Sequence, residues 1–361
     1  MRKEKLLRRL VLLEVLLLTG LSLVLIHRKR AELLQTASET VEAEEEQDFI
    51  KWVDFHVTAS ALGKAYEYDR DTYGQEIHLN WIELLAYTAA RTGGDFSSEK
   101  QVNTFLDGAA EELLAGKKLE ELTADLKYYD YYLEAYTAVL GGMVGEYEIQ
   151  VPAEENEGTE GGEQDSSDDA GEVKVWEKRY GLKAFLPIAK NFPYSDYDDF
   201  GVSRSYGYRR QHLGHDFMGQ TGTPIIAVES GYVEALGWNQ YGGWRIGIRS
   251  FDKKRYYYYA HLRQGFPYAL DLEEGSKVQA GDVIGYMGHT GYSTKEDTNN
   301  IDQTHLHFGM QLIFDESQKE GNSEIWIDCY QISKFLYRNR SECARNDATK
   351  EWYRIYEMRE E

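Results

Sequence analysis

The chain has 361 residues, 42% hydrophobic and 13% aromatic, with 40 Lys+Arg against 62 Asp+Glu and a formal net charge of -22. That apolar content excludes wholesale disorder and allows about two domains, and the acidity excludes a general nucleic-acid coat, because phosphates would be repelled over most of the surface. Two cysteines exclude a disulfide-stapled scaffold and a cysteine-rich zinc module.

Met1 to Arg9 carries Arg2, Lys3, Lys5, Arg8 and Arg9 against one acid, Glu4. Leu10 to Ile26 is apolar except for Glu14 and a few small residues, and His27-Arg28-Lys29-Arg30 closes the run. This length gives about 25 Å of helix, slightly short of a ~30 Å hydrocarbon core. Leu6 and Leu7 can extend it while Arg8 and Arg9 snorkel. No small-residue cleavage site follows, so 10–26 reads as an uncleaved transmembrane anchor. The basic excess on its N-terminal side leaves 1–9 cytoplasmic and the bulk of the chain outside the cytoplasmic membrane, a single-pass topology.

Residues 31–47 are acidic and helix-prone, a stalk. Residues 48–150 carry helical spacing in Trp81–Tyr87, Phe105–Leu114 and Leu119–Leu140, with stops at Gly93-Gly94 and Gly116. This predicts an all-α domain. Arg91-Thr92-Gly93-Gly94-Asp95 faintly resembles the end of the active-site helix in lysozyme-type transglycosylases. Those enzymes place a catalytic Glu before the glycine turn; Arg91 stands there instead, so a spacer or a docking domain for an unidentified protein partner is expected. Residues 153–172 hold nine acids, no bases and four glycines, the composition of a solvated, disordered linker.

From Val173 the pattern is short β-rich runs between glycine turns: 225–228, 231–238, 244–249, 255–262, 283–287 and 305–314. Within Tyr256–Tyr259, alternate tyrosines would face core and groove. A mostly helical, charged segment is expected from Trp326 to Glu361. Cys329 and Cys343 are equally compatible with a disulfide and with two free thiols.

Six of the nine histidines lie between His212 and His307. In His212-Leu213-Gly214-His215-Asp216, an imidazole and a carboxylate four residues apart can converge on one cation where Gly214 permits a bend; His215 is a second candidate nitrogen. In His305-Leu306-His307-Phe308, strand alternation puts both histidines on one face and Leu306 and Phe308 on the other. Tyr259-Ala260-His261-Leu262 ends another strand. Together these supply three N/O ligands and spare imidazoles, the parts of a catalytic zinc site. His289 and His78 read as surface or capping residues.

At these residues the chain resembles the lysostaphin and LytM-type zinc metallopeptidases, over roughly Ala184 to Leu336. The motifs that carry the resemblance are Ser203–Arg209, His212–Asp216, Gly222–Ile225 with Ala227–Gly231, Tyr259–Leu262, Gly281–Gly288 with Thr290–Thr294, and His305–Phe308. It implies one Zn2+ per chain on His212, Asp216 and His307, with His261 and His305 as the catalytic pair and His305 as general base. Tyr206, Tyr208 and Tyr259 are expected to line the substrate groove. The implied fold class is an α+β multidomain chain: transmembrane helix, all-α middle domain, an all-β two-sheet metallopeptidase domain at 173–338, and a charged helical tail at 339–361. The implied function is membrane-anchored hydrolysis of peptidoglycan peptides by zinc-activated water. The alternative is a non-catalytic scaffold or regulator of wall hydrolysis or of sporulation channel assembly; no nucleic-acid partner is expected. Two departures stand out. Gly309 follows Phe308 where the family usually has Glu, predicting an altered groove. Lys295 to Thr304 is a polar insertion that would narrow or gate it.

Overall fold

The computed structural model describes residues 49–153, 173–205 and 209–360. The stretches 1–9, 10–26, 31–47 and the acidic segment, and with them the anchor, stalk and linker readings, lie outside the described residues, as do Tyr206 and Tyr208. Among the described residues, no helix is long and apolar enough to cross a membrane.

The helical region comprises α1 (Ala59–Thr72), α2 (Trp81–Thr92), α3 (Glu99–Leu114), α4 (Leu119–Thr123) and α5 (Tyr129–Leu140). The sequence signals for these helices are local and strong. The Asn80 side chain accepts from the backbone N–H groups of Ile82 and Glu83 and so caps α2, and Gly93 ends it at φ 68, a conformation that glycine adopts without strain. Gly116 (φ 91) follows α3. Arg91, the residue in place of a transglycosylase Glu, lies over the rings of Tyr87 and Phe105.

The chain then leaves helical structure earlier than residue 150. β1 (Val144–Pro152) pairs antiparallel with β2 (Lys174–Leu182) through nine consecutive residue pairs, from Val144↔Leu182 to Pro152↔Lys174. The Ala153 N–H also donates to the Val173 carbonyl at 2.8 Å. Both ends of the acidic segment are therefore pinned side by side. It connects two strands of one hairpin, and it cannot vary the reach between two domains. Long-range strand pairing, which composition does not show, decides what the segment connects.

The larger sheet runs β10 (Lys277–Val278), β7 (Gly231–Asn239), β8 (Gly243–Ser250), β9 (Arg255–Ala260), β12 (His305–Leu312), β13 (Ile325–Ile327), with β5 (His215–Met218) also on β12. β6 (Pro224–Ile226) pairs with β11 (Val283–Tyr286), and β3 (Ser203–Ser205) with β4 (Arg209–Gln211). The strands expected from alternation are present. The tail is not helical beyond α6 (Tyr330–Leu336). Residues 339–361 hold β14 (Cys343–Arg345), β15 (Trp352–Arg354) and β16 (Met358–Arg359). The Asn346 side chain accepts from the Ala348 and Thr349 N–H groups, turning the chain between β14 and β15. Arg354 donates to the Ala280 carbonyl and Asp282, and β16 adds to β1. Charge patterning looked helical, but these contacts with distant strands override it. Both cysteines are free thiols.

One apolar core runs from the helices into the sheet: Tyr66 and Trp81 meet Phe335 of α6. Beside it Arg255, 1% exposed, forms hydrogen bonds with Glu229 and Asp252 and donates to the Ala138 carbonyl of α5 at 2.7 Å. A Cβ on Gly142 would fall 1.7 Å from Glu229 Oε1, so the exit from α5 must be glycine. The helical region and the larger sheet thus share one interior.

Candidate active site

β12 lies between β5 and β9, with His307 opposite both Asp216 and Ala260 in register. Leu306 and Phe308 are in the core at 0% and 2% exposure, which turns His305 and His307 onto the other face. His212 enters from the loop before β5. Its Nε2 is 3.1 Å from Asp216 Oδ1 and 2.8 Å from His307 Nδ1, and His307 Nδ1 is 3.1 Å from Asp216 Oδ1. Segments far apart in sequence therefore bring three metal-competent atoms to one point, as the motifs predict.

A backbone carbonyl only accepts, so hydrogen bonds to carbonyls fix the tautomers. His212 Nδ1 donates to the Asp199 carbonyl at 3.0 Å, His261 Nδ1 to Thr290 at 2.9 Å and His305 Nδ1 to Gln303 at 2.9 Å. In the neutral form each ring keeps its lone pair on Nε2. His305 Nε2 is 3.8 Å from Asp216 Oδ2, and the His261 and His305 ring centroids are 4.7 Å apart. His261 sits at φ 64, where β9 ends and its N–H turns to the Gly242 carbonyl.

Electrostatics follow from this burial. Burial alone would raise the Asp216 carboxyl, but hydrogen bonds from His212 and His307 hold it far below the ordinary carboxylate range. Burial opposes charge on His212, yet its bonds to Asp199 and Asp216 prevail and carry it up to about 9. Burial drives His261 well below its ordinary value, reinforced by His305 and His307. His307 is lowered by burial, only partly offset by Asp216. Metal binding here must displace the proton held by His212.

The donor set suits zinc. Two imidazole nitrogens and one carboxylate oxygen form a group whose ligand atoms lie within 4.8 Å of one another. Ligands about 2.0–2.1 Å from a tetrahedral zinc stand about 3.3 Å apart, close to the separations observed.

The site opens into a groove of about 590 Å³ bordered by Tyr256, Tyr258, Tyr292, Ile301, Gln311 and Trp326, among others. Tyr259, expected in that groove, is instead fully buried, and its hydroxyl accepts from the Val228 N–H. Register with Phe308 sets the phase of the tyrosine run: Tyr257 and Tyr259 face the core, Tyr256 and Tyr258 the groove. Gly309 makes room for Trp326, whose ring would be 2.8 Å from a Cβ there. The 295–304 insertion is a pinned wall: Asp297 accepts from Trp244 Nε1 and the Gly265 N–H, and Asn300 donates to the Tyr292 carbonyl.

Residues 210–320 match peptidase family M23. The chain carries an M23 peptidase domain. The L-Ala--D-Glu endopeptidase of Bacillus subtilis is 40% identical over 131 residues, 36% of this chain and 38% of that protein. Lysostaphin of Staphylococcus simulans is 38% identical over 98 residues, 27% of this chain and 17% of that protein. The matched parts are thus well under two thirds of these relatives. A crystal structure from Ruminococcus gnavus, described as a glycyl-glycine endopeptidase lytM, has the same fold at a TM-score of 0.50 and 23% identity, covering 81% of this chain and 93% of that one.

The M23 motifs left several groups unread. Asp199 supplies both the carbonyl and a carboxylate contact to His212, and with Asp196 it holds the buried His215, whose Nε2 is 2.9 Å from Asp196 Oδ2. His215 therefore faces away from the three-atom group. Arg204 Nη2 is 2.5 Å from Asp199 Oδ2 and 2.7 Å from Asp216 Oδ2. Asp199 precedes His212 by thirteen positions outside any spacing rule, so only the acidic tract Asp196, Asp198 and Asp199 hinted at it.

Proposed function

We propose that the M23 domain hydrolyses peptide bonds of peptidoglycan, with one zinc ion on His212, Asp216 and His307. The observation that carries this reading is the convergence of the buried His212 and Asp216 and the half-buried His307 at the head of a groove. A bound zinc supplies Lewis acidity, polarising a carbonyl and easing deprotonation of water. His212 is oriented through Nδ1 by Asp199, and Asp216 turns Oδ1 to the metal position while Oδ2 meets Arg204. His305 Nε2 takes a proton from the attacking water and returns it to the leaving amine. His261, neutral because it is buried and with its Nδ1–H given to Thr290, presents the Nε2 lone pair as an acceptor and assists this proton transfer. A 29% identical peptidoglycan DD-endopeptidase of Vibrio cholerae supports this substrate, as does the matched L-Ala--D-Glu endopeptidase. Location at the membrane through residues 10–26 remains part of the proposal on sequence grounds. A scaffold would not need all five side chains, which are present together.

The test is mass spectrometry of purified peptidoglycan after digestion by residues 50–361. New amino termini within the stem or bridge peptides are expected, lost on chelation and in His305→Ala despite retained zinc. Cleavage of glycan strands alone, or full turnover in the chelated protein, would refute the assignment.

A further inference from the structure

Among the described residues, eight that are not glycine have a positive φ, and two of them are His261 (φ 64) and Tyr292 (φ 47). Their rings lie together, with centroids 5.9 Å apart and planes 29° from parallel, an offset stack. A bulky side chain at positive φ is an unfavourable conformation that persists only where its surroundings impose it. Here two such residues meet, and one of them is a histidine of the catalytic pair.

The turn that carries Tyr292 is gripped from two sides. On one side the Tyr292 N–H donates to the Tyr241 carbonyl at 3.3 Å, and the Ser293 N–H to the Gln240 carbonyl at 2.9 Å. A Cβ on Gly291 would fall 2.4 Å from the same Tyr241 oxygen, so the two turns meet with no room for a side chain. On the other side stands the 295–304 insertion. The Gly291 N–H donates to the Thr298 carbonyl at 3.2 Å. Thr290 and Asn299 form an isolated β-bridge, and Asn300 Nδ2 donates to the Tyr292 carbonyl at 2.7 Å. The insertion is itself tied down, because Asn299 donates to Gln264 and Asp297 accepts from Trp244 and Gly265. It therefore clamps the turn.

That turn meets His261 at two points. The Thr290 carbonyl accepts from Nδ1, which fixes the tautomer but leaves the imidazole able to tilt about the bond. The Tyr292 ring lies against the imidazole and removes the tilt. We infer that Tyr292 is a positioning residue of the hydrolysis: the 295–304 insertion holds it at positive φ, and its ring fixes the plane of His261 and hence the direction of the Nε2 lone pair. The inference rests on the peptidase reading above. Proton transfer is sensitive to direction as well as distance, so a small rotation of His261 would slow the chemical step and leave substrate binding alone. Tyr292 also borders the groove, and a residue that only contacted substrate would act on KM instead.

The experiment measures kcat, KM, zinc content and Tm of the zinc-loaded protein, with soluble muropeptides from glycan-digested peptidoglycan as substrate. Tyr292→Ala and Tyr292→Gly should each lower kcat by about 10–100-fold, the usual loss on misplacing a reacting group, with KM and zinc content unchanged. Tyr292→Phe keeps the ring and should keep kcat near that of the wild type. Glycine takes this φ without strain, so Tyr292→Gly should melt no lower than Tyr292→Ala while being equally slow; activity then parts from stability, which a merely structural role would not produce. Asn300→Ala should lower kcat severalfold at constant KM. Wild-type kcat in Tyr292→Ala or in Asn300→Ala, a loss in Tyr292→Phe as large as that in Tyr292→Ala, or a loss carried by KM or by zinc content overturns the inference. If the wild-type protein cuts neither muropeptides nor whole peptidoglycan, the hydrolase reading fails and this one with it.

Discussion

Replacing Gly214 by alanine tests the centre without replacing a ligand. A Cβ at this position would lie 2.5 Å from His307 Cε1, 2.7 Å from His307 Nε2 and 2.8 Å from the Phe308 carbonyl oxygen. An ordinary carbon contact is at least about 3.4–3.5 Å, so the imidazole must retreat by about 0.9 Å. The carbonyl belongs to a strand paired on both sides and cannot yield. Ligand distances must be kept within about 0.2 Å for normal binding. Zinc affinity should therefore fall at least 10–100-fold, the loss usual when support for a ligand is disturbed. Overpacking of this kind costs about 1–3 kcal/mol, which for a chain of this size lowers Tm by roughly 2–5 °C. Chelator competition reads the first effect and calorimetry of the metal-free protein the second. Gly214→Ala with wild-type zinc affinity would refute the argument, because it would mean that His307 does not need its observed position.

Other outcomes follow from the same geometry. The folded-state value of His212 is raised to about 9, above the ~6.5 of an unfolded histidine. In the metal-free protein its bonds therefore add stability that is complete below about pH 6.5 and is lost as pH rises through about 9. Tm should fall over that window, while apparent zinc affinity should rise by up to tenfold per pH unit as the competing proton leaves; a flat profile in both would exclude the Asp199–His212–Asp216 arrangement. Arg255→Met leaves Glu229 buried without its cation and should cost about 3–5 kcal/mol, measured by urea unfolding; a loss below 1 kcal/mol would show that the pair does not join helices to sheet. Gly309→Ala pushes against the Trp326 ring and should raise KM severalfold with zinc content unchanged, and an unaltered KM would remove Trp326 from the substrate path.

The parts of this molecule that could be read in the sequence are those set by short-range periodicity. His305 and His307 share a face because strands alternate, and α2 begins and ends where Asn80 and Gly93 allow it. The four-tyrosine run shows the limit of the same rule. Alternation says that every second ring faces the groove, but only the pairing of Tyr259 with Phe308 determines which two. Asp199 and Arg204 lay beyond reach because their contacts with His212 and Asp216 arise from tertiary closure. The tail misled for a related reason: its charges suit an exposed helix as well as an exposed edge strand, and the partner strand β1 is some two hundred positions away.

The β1–β2 hairpin changes what a protease can accomplish on this protein. A cut anywhere between Ala153 and Val173 would sever the backbone, yet nine strand pairs and a common interior would keep the two fragments together. The nicked molecule should elute from a sizing column as the intact one does, separate only in denaturant, and keep its groove. Shedding of the catalytic half by clipping the acidic tract is thereby forbidden.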